Sequence, residues 1–97
     1  MIKPLVVLDV REQGHLLFAA AFHSRLLDWL YDNGLNPYSI YRLEVYLVDC
    51  PSARVYEYAR DEDGRLIVDR EREDVRRRPP RDVVLSSLPP ALPEEET

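Results

Sequence analysis

The chain has 97 residues, enough for one domain, and its 45% hydrophobic content is ordinary for a globular protein, which excludes wholesale disorder. A net charge of −5 makes the whole chain a poor default binder of nucleic acid, because phosphate affinity comes mainly from cationic contacts. Cys50 is the single cysteine, so no internal disulfide and no thiolate metal site can form, and the longest mostly apolar run, residues 16–22, is far too short to cross a bilayer.

In chain order, residues 5–10 (LVVLDV) are apolar and β-branched and predict a buried strand. Residues 11–15 carry turn character around Gly14. Residues 16–22 (LLFAAAF) admit two readings. They pair with the first strand as a hairpin, or they continue a helix begun at the capping-box pattern DVRE of residues 9–12. A glycine inside that helix costs about 1 kcal/mol relative to Ala, so the hairpin is the expectation.

Residues 22–34 (FHSRLLDWLYDNG) predict a helix. Phe22, Leu26, Trp29 and Leu30 make one apolar stripe, Gly34 suits the left-handed position past the helix end, and Pro37 blocks continuation. The stripe is read as core.

Two alternating segments follow. On residues 39–49, Tyr41, Leu43, Val45 and Leu47 share one face, while Arg42, Glu44 and Tyr46 share the other. Residues 49–52 form a turn at Pro51. On residues 53–60, Val55, Glu57 and Ala59 oppose Arg54, Tyr56, Tyr58 and Arg60. A loop of three or five residues between these strands brings Arg42, Tyr46, Arg54, Tyr56, Tyr58 and Arg60 onto one face, and the helix stripe packs on the other. Glu57 falls on the apolar face and therefore requires a partner. DEDG (61–64) predicts a hairpin loop leading to a third meander strand at 65–69.

From Arg70 the alternation stops. Residues 70–97 read as an extended mixed-charge, Pro-rich tail, with a short apolar run at 83–85 able to add as an edge strand. Charge is uneven: 7 Arg against 4 acids over residues 65–81, then 4 acids and no base over 82–97. The predicted fold is α+β: one amphipathic helix on an antiparallel sheet of four to five strands, with a domain at 1–69 and a tail at 70–97.

Tyr and Arg are enriched at binding hot spots, which makes the face of Arg42, Tyr46, Arg54, Tyr56, Tyr58 and Arg60 a candidate protein-binding platform. The bland alternative is a solvated sheet face stabilised by cross-strand pairs. Arg76, Arg77 and Arg78 are the candidate contacts for nucleic acid, weakened by the interleaved Glu71, Glu73 and Asp74. His15 and His23 lack acidic neighbours at ligand spacing, Cys50 lacks an evident base, and there is no phosphate-binding glycine loop or serine elbow. The expectation is a non-enzymatic protein with neither cofactor nor metal.

Residues 22–65 carry a Phe-x-x-x-Leu-Leu-x-Trp-Leu helix, a Gly-Leu-Asn-Pro turn and an Arg-Val-Tyr-x-Tyr strand before an Asp-Gly turn; residues 78–90 read RPPRDVVLSSLPP. These stretches resemble small proteins encoded by actinobacterial phages and prophages. The shared motifs are structural, so the resemblance implies an accessory or regulatory phage protein that binds a host or phage protein inside a bacterial cell, and it carries over no site residue. Lys3, Pro4 and Asp9 near the N-terminus do not resemble a secretory leader, which agrees with a cytoplasmic setting.

Overall fold

The computed structural model describes residues 2–92, the side chain of His15 excepted. The elements are β1 (Val6–Asp9), α1 (Val10–Leu17), α2 (Ala20–Asp32), β2 (Ile40–Leu47), β3 (Pro51–Glu57), β4 (Val68–Asp69), β5 (Asp74–Val75) and β6 (Arg81–Val84). The fold is α+β. A four-stranded antiparallel sheet of order β1-β2-β3-β6 carries the core, and β4 and β5 form a separate two-stranded ribbon.

The stripe of α2 is buried as expected. Phe22, Leu26, Trp29 and Leu30 pack with Leu8, Leu43, Val45, Ala53 and Val55 from the sheet. The chain leaves α2 through Gly34 at φ 69°, where an L side chain would be strained, and Leu35 closes the core beneath it.

Residues 16–22 do not form a hairpin. Helix α1 runs directly out of β1, because Asp9 caps it: Oδ1 accepts from the N–H groups of Arg11 and Glu12. The reciprocal bond of the capping box comes from Gln13, whose Oε1 accepts from the Asp9 N–H at 2.9 Å, rather than from Glu12. The glycine penalty that favoured a hairpin is met by a kink, with Gln13 at φ −125° and ψ 21° just before Gly14. Ala19 in an extended conformation then separates α1 from α2.

The β2–β3 connection has three residues, since Leu47 pairs with Pro51. The facing pairs Leu43 with Val55 and Val45 with Ala53 put the apolar residues inward. The register slips once, between Ile40 and Arg42, leaving Tyr41 without a partner in the ladder.

The third strand of the expected meander forms only in part: Leu66 pairs antiparallel with Arg60 and the Ile67 N–H donates to the Ala59 carbonyl, but the segment does not become a strand of the four-stranded sheet. After the Asp61–Gly64 turn, in which Asp61 Oδ1 accepts from the N–H groups of Asp63 and Arg65, the chain turns off into the β4–β5 ribbon. The place beside β3 goes to β6, which pairs Val83 with Ala53 and Asp82 with Arg54. Much of the segment read as a tail from Arg70 is therefore built into the structure. Leu85 is in the core, Trp29 Nε1 donates to the Ser87 carbonyl at 3.1 Å, and Asn33 Oδ1 accepts from both the N–H and the hydroxyl of Ser86. The physical reason is the apolar run at 83–85: it alternates with β3, and the sheet edge it covers has no other claimant. Residues 93–97 of the expected tail lie outside the described residues.

Candidate functional site

The solvent face of the sheet is built on two carboxylates. Asp9 ends β1 opposite Arg42, and Asp9 Oδ2 accepts from Arg42 at 2.8 Å. The second guanidinium nitrogen of Arg42 reaches Glu44 Oε2 at 3.2 Å. Glu44 Oε1 accepts from the Tyr56 hydroxyl at 2.7 Å and from the Tyr46 hydroxyl at 3.4 Å. The network thus joins Asp9, Arg42, Glu44, Tyr46 and Tyr56 across three strands.

Its electrostatics follow from partial burial. Desolvation pushes the Asp9 carboxyl up, but the bonds from Arg42 and from the Arg11 and Glu12 N–H groups outweigh it, and the group titrates below its ordinary range. Glu44 behaves alike: burial raises it, while the Tyr56 hydroxyl, Arg42 and Tyr46 bring it down further. The Glu44 carboxylate in turn holds the Tyr56 phenol protonated to higher pH than usual.

Beside this network lie three mutually tilted rings. The bulge that frees Tyr41 from the ladder brings its ring to 4.6 Å from Tyr58 and 6.2 Å from Tyr56, centroid to centroid. Three guanidiniums surround them. Arg77 lies 5.3 Å and Arg11 5.9 Å from the Tyr41 centroid, and Arg42 lies 6.0 Å from that of Tyr56. A hydrogen bond with Tyr58 raises the Arg11 pKa. Arg77 also pairs with Asp74 at 3.1 Å.

Of the six residues assigned to one platform, Arg42, Tyr46 and Tyr56 meet at Glu44, and Tyr58 joins the ring cluster. Arg54 is taken by Asp82 of β6 at 3.2 Å. Arg60 is engaged elsewhere, donating to Ser39 Oγ and to the carbonyls of Tyr38 and Gly64. Arg76–Arg78 do not act as a block either: Arg77 stands over Tyr41, while Arg78 lines a polar pocket together with Arg60. Glu57 finds the partner that its position demands, accepting from Arg81 Nε at 2.8 Å.

Sequence reasoning missed Tyr41, Arg11 and the hub role of Glu44. Strict alternation places Tyr41 inward, and a bulge leaves no mark in the residue pattern. Arg11 arrives only because α1 starts immediately after β1.

His23 lies with its Nδ1 3.2 Å from the Leu17 carbonyl, which places the proton of the neutral ring on Nδ1, and Phe18 packs on it. Cys50 is exposed in the β2–β3 turn. Among the described residues, no three His, Cys, Asp or Glu side chains come together as a metal site, and no helix is long and apolar enough to cross a membrane. No family model, curated protein or solved structure matches the chain.

Proposed function

We propose that this protein is a small, non-enzymatic interaction module of phage or prophage origin, which binds a host or phage protein inside a bacterial cell through the ring cluster of Tyr41, Tyr56 and Tyr58. The observation that carries this reading is the cluster itself: three half-buried rings flanked by Arg11, Arg42 and Arg77. Such a surface offers large contact area at low entropic cost, with guanidinium donors at its rim. The same patch holds Asp9, Glu44 and Asp74, so its three positive charges are matched by three negative ones. Near-neutrality favours a protein partner over a polyphosphate, whose binding needs unbalanced cations. The phage setting is supported by the resemblance over residues 22–65 and 78–90.

The test is affinity capture from a high-GC actinobacterial lysate, with and without nuclease, using the native chain and a Tyr41→Ser variant checked for folding by circular dichroism. One dominant protein that survives nuclease, and whose capture falls at least tenfold in the folded variant, is the expected result. Capture that disappears with nuclease moves the assignment to nucleic acid and to Arg76, Arg77 and Arg78. Capture unaffected by Tyr41→Ser removes the ring cluster from the interface.

A further inference from the structure

At the end of the sheet remote from the β2–β3 turn, a polar pocket of about 460 Å³ opens between the β2 approach, the end of β3 and the segment before β6. It is lined by Asn36, Ser39, Glu57, Tyr58, Arg60 and Arg78. Its volume is in the range of small-ligand sites, but its lining is polar where most such sites are apolar. Charge explains what the pocket could hold.

Glu57 supplies the one carboxylate of the lining, and Arg81 already neutralises it. Arg60 is fixed by three bonds, of 2.8, 2.6 and 2.8 Å, to Ser39 Oγ and the carbonyls of Gly64 and Tyr38. All three acceptors are neutral, so the guanidinium is immobilised without losing its charge. Arg78 is tied by its backbone N–H to the Glu57 carbonyl at 2.9 Å. Among the described residues neither Arg60 nor Arg78 makes an ion pair. Ser39 is buried, and its Oγ accepts from Arg60 and Asn36, which leaves its own proton to donate. The pocket therefore presents two guanidiniums that make no ion pair among the described residues, one of them held by three bonds, and a hydroxyl donor, with the acidic turn of Asp61, Glu62 and Asp63 next in the chain.

We propose that this pocket binds a phosphate monoester carried by a small molecule. Two guanidiniums without ion pairs match the charge of about −1.5 to −2 that such a group carries at pH 7, and guanidinium geometry suits bidentate bonds to its oxygens. Immobilising Arg60 before binding removes an entropic cost from association. This site shares Tyr58 with the ring cluster, but its charge comes from Arg60 and Arg78, which take no part in that cluster, so either assignment can fail without the other.

The experiment is titration of the ¹⁵N-labelled chain with inorganic phosphate and with phenyl phosphate at low ionic strength, followed by amide chemical shifts, with acetate as a monoanionic control. Saturable shifts are expected at Ser39, Tyr58, Arg60 and Arg78, at least fivefold tighter for the phosphates than for acetate, and weakening as pH falls through about 6, where the dianion protonates. Arg78→Ala is expected to weaken phosphate binding at least fivefold, while Arg25→Ala, on the exposed side of α2, leaves it unchanged. Arg60→Ala is not relied on, because Arg60 also holds the 38–39 and 64 backbone. Shifts that do not saturate, that match those of acetate, or that respond equally to Arg25→Ala overturn the proposal. So does binding of phosphate that Arg78→Ala leaves intact.

Discussion

Asp9 performs two tasks with one carboxylate: Oδ1 caps α1 and Oδ2 holds Arg42. Its lowered pKa, with that of Glu44, fixes the sign of the acid response. A carboxyl whose folded pKa lies below its unfolded value contributes stability above the unfolded pKa and loses it as pH falls through the folded one. The melting temperature is therefore expected to hold between pH 5 and 8 and to fall below about pH 4, read by thermal unfolding at a series of pH values. In Asp9→Asn, which keeps an N-cap oxygen, that acid limb should be shallower than in the native chain; an unchanged limb would remove Asp9 from the account. Glu57 gives a second test. Its side chain is 9% exposed and rests on an Arg81 that is 46% exposed. Arg81→Ala strands the buried carboxylate, and a loss of about 1–2 kcal/mol is expected, below the value for a fully buried pair because water reaches Arg81. Denaturant unfolding measures it.

At the scale of elements, β6 is the piece that completes the sheet. It enters from beyond the β4–β5 ribbon and is held by the β3 ladder, by Leu85 in the core and by the Trp29 and Asn33 bonds to Ser87 and Ser86. Leu85→Ala is expected to cost about 2–4 kcal/mol, a drop in melting temperature on the order of 10 °C or more for a domain of this size. A change of a degree or two would mean that the 81–85 segment is a dispensable tail after all. The helix of residues 22–34 and the β2–β3 hairpin were legible from periodicity, because both bury one complete face and a slip would expose it. Helix α1 was not, since the capping bonds of Asp9 and Gln13 and a kink at Gln13 decided between two conformations of equal hydrophobicity.

At the scale of the molecule, two kinds of chemistry lie side by side at the end of the sheet remote from the β2–β3 turn, with Tyr58 common to both. The face over β1, β2 and β3 is aromatic and charge-balanced, whereas the pocket at the end of β3 carries Arg60 and Arg78, which make no ion pair among the described residues. Salt should discriminate between them. Phosphate binding in the pocket is expected to weaken steeply between about 20 and 200 mM salt, as screening shortens toward 8 Å. Partner binding at the ring cluster should change little over the same range. Isothermal titration at two ionic strengths reads both, and a steep salt dependence at the ring cluster would contradict its charge balance.

The sequence by itself determined the fold class, the α2 stripe, the inward face of β2 and β3, and the placement of Arg42, Tyr46 and Tyr56 on the opposite face, because each follows from a local period imposed by one apolar layer. Only the tertiary structure decided what joins that face and what leaves it. Tyr41 enters through a bulge, Arg11 through the start of α1, Arg77 through the pairing of Tyr58 with the segment before β6, and Arg60 departs to Ser39. These placements depend on contacts between residues far apart in the chain and on a one-residue slip in register, and neither leaves a periodic trace in the order of the amino acids.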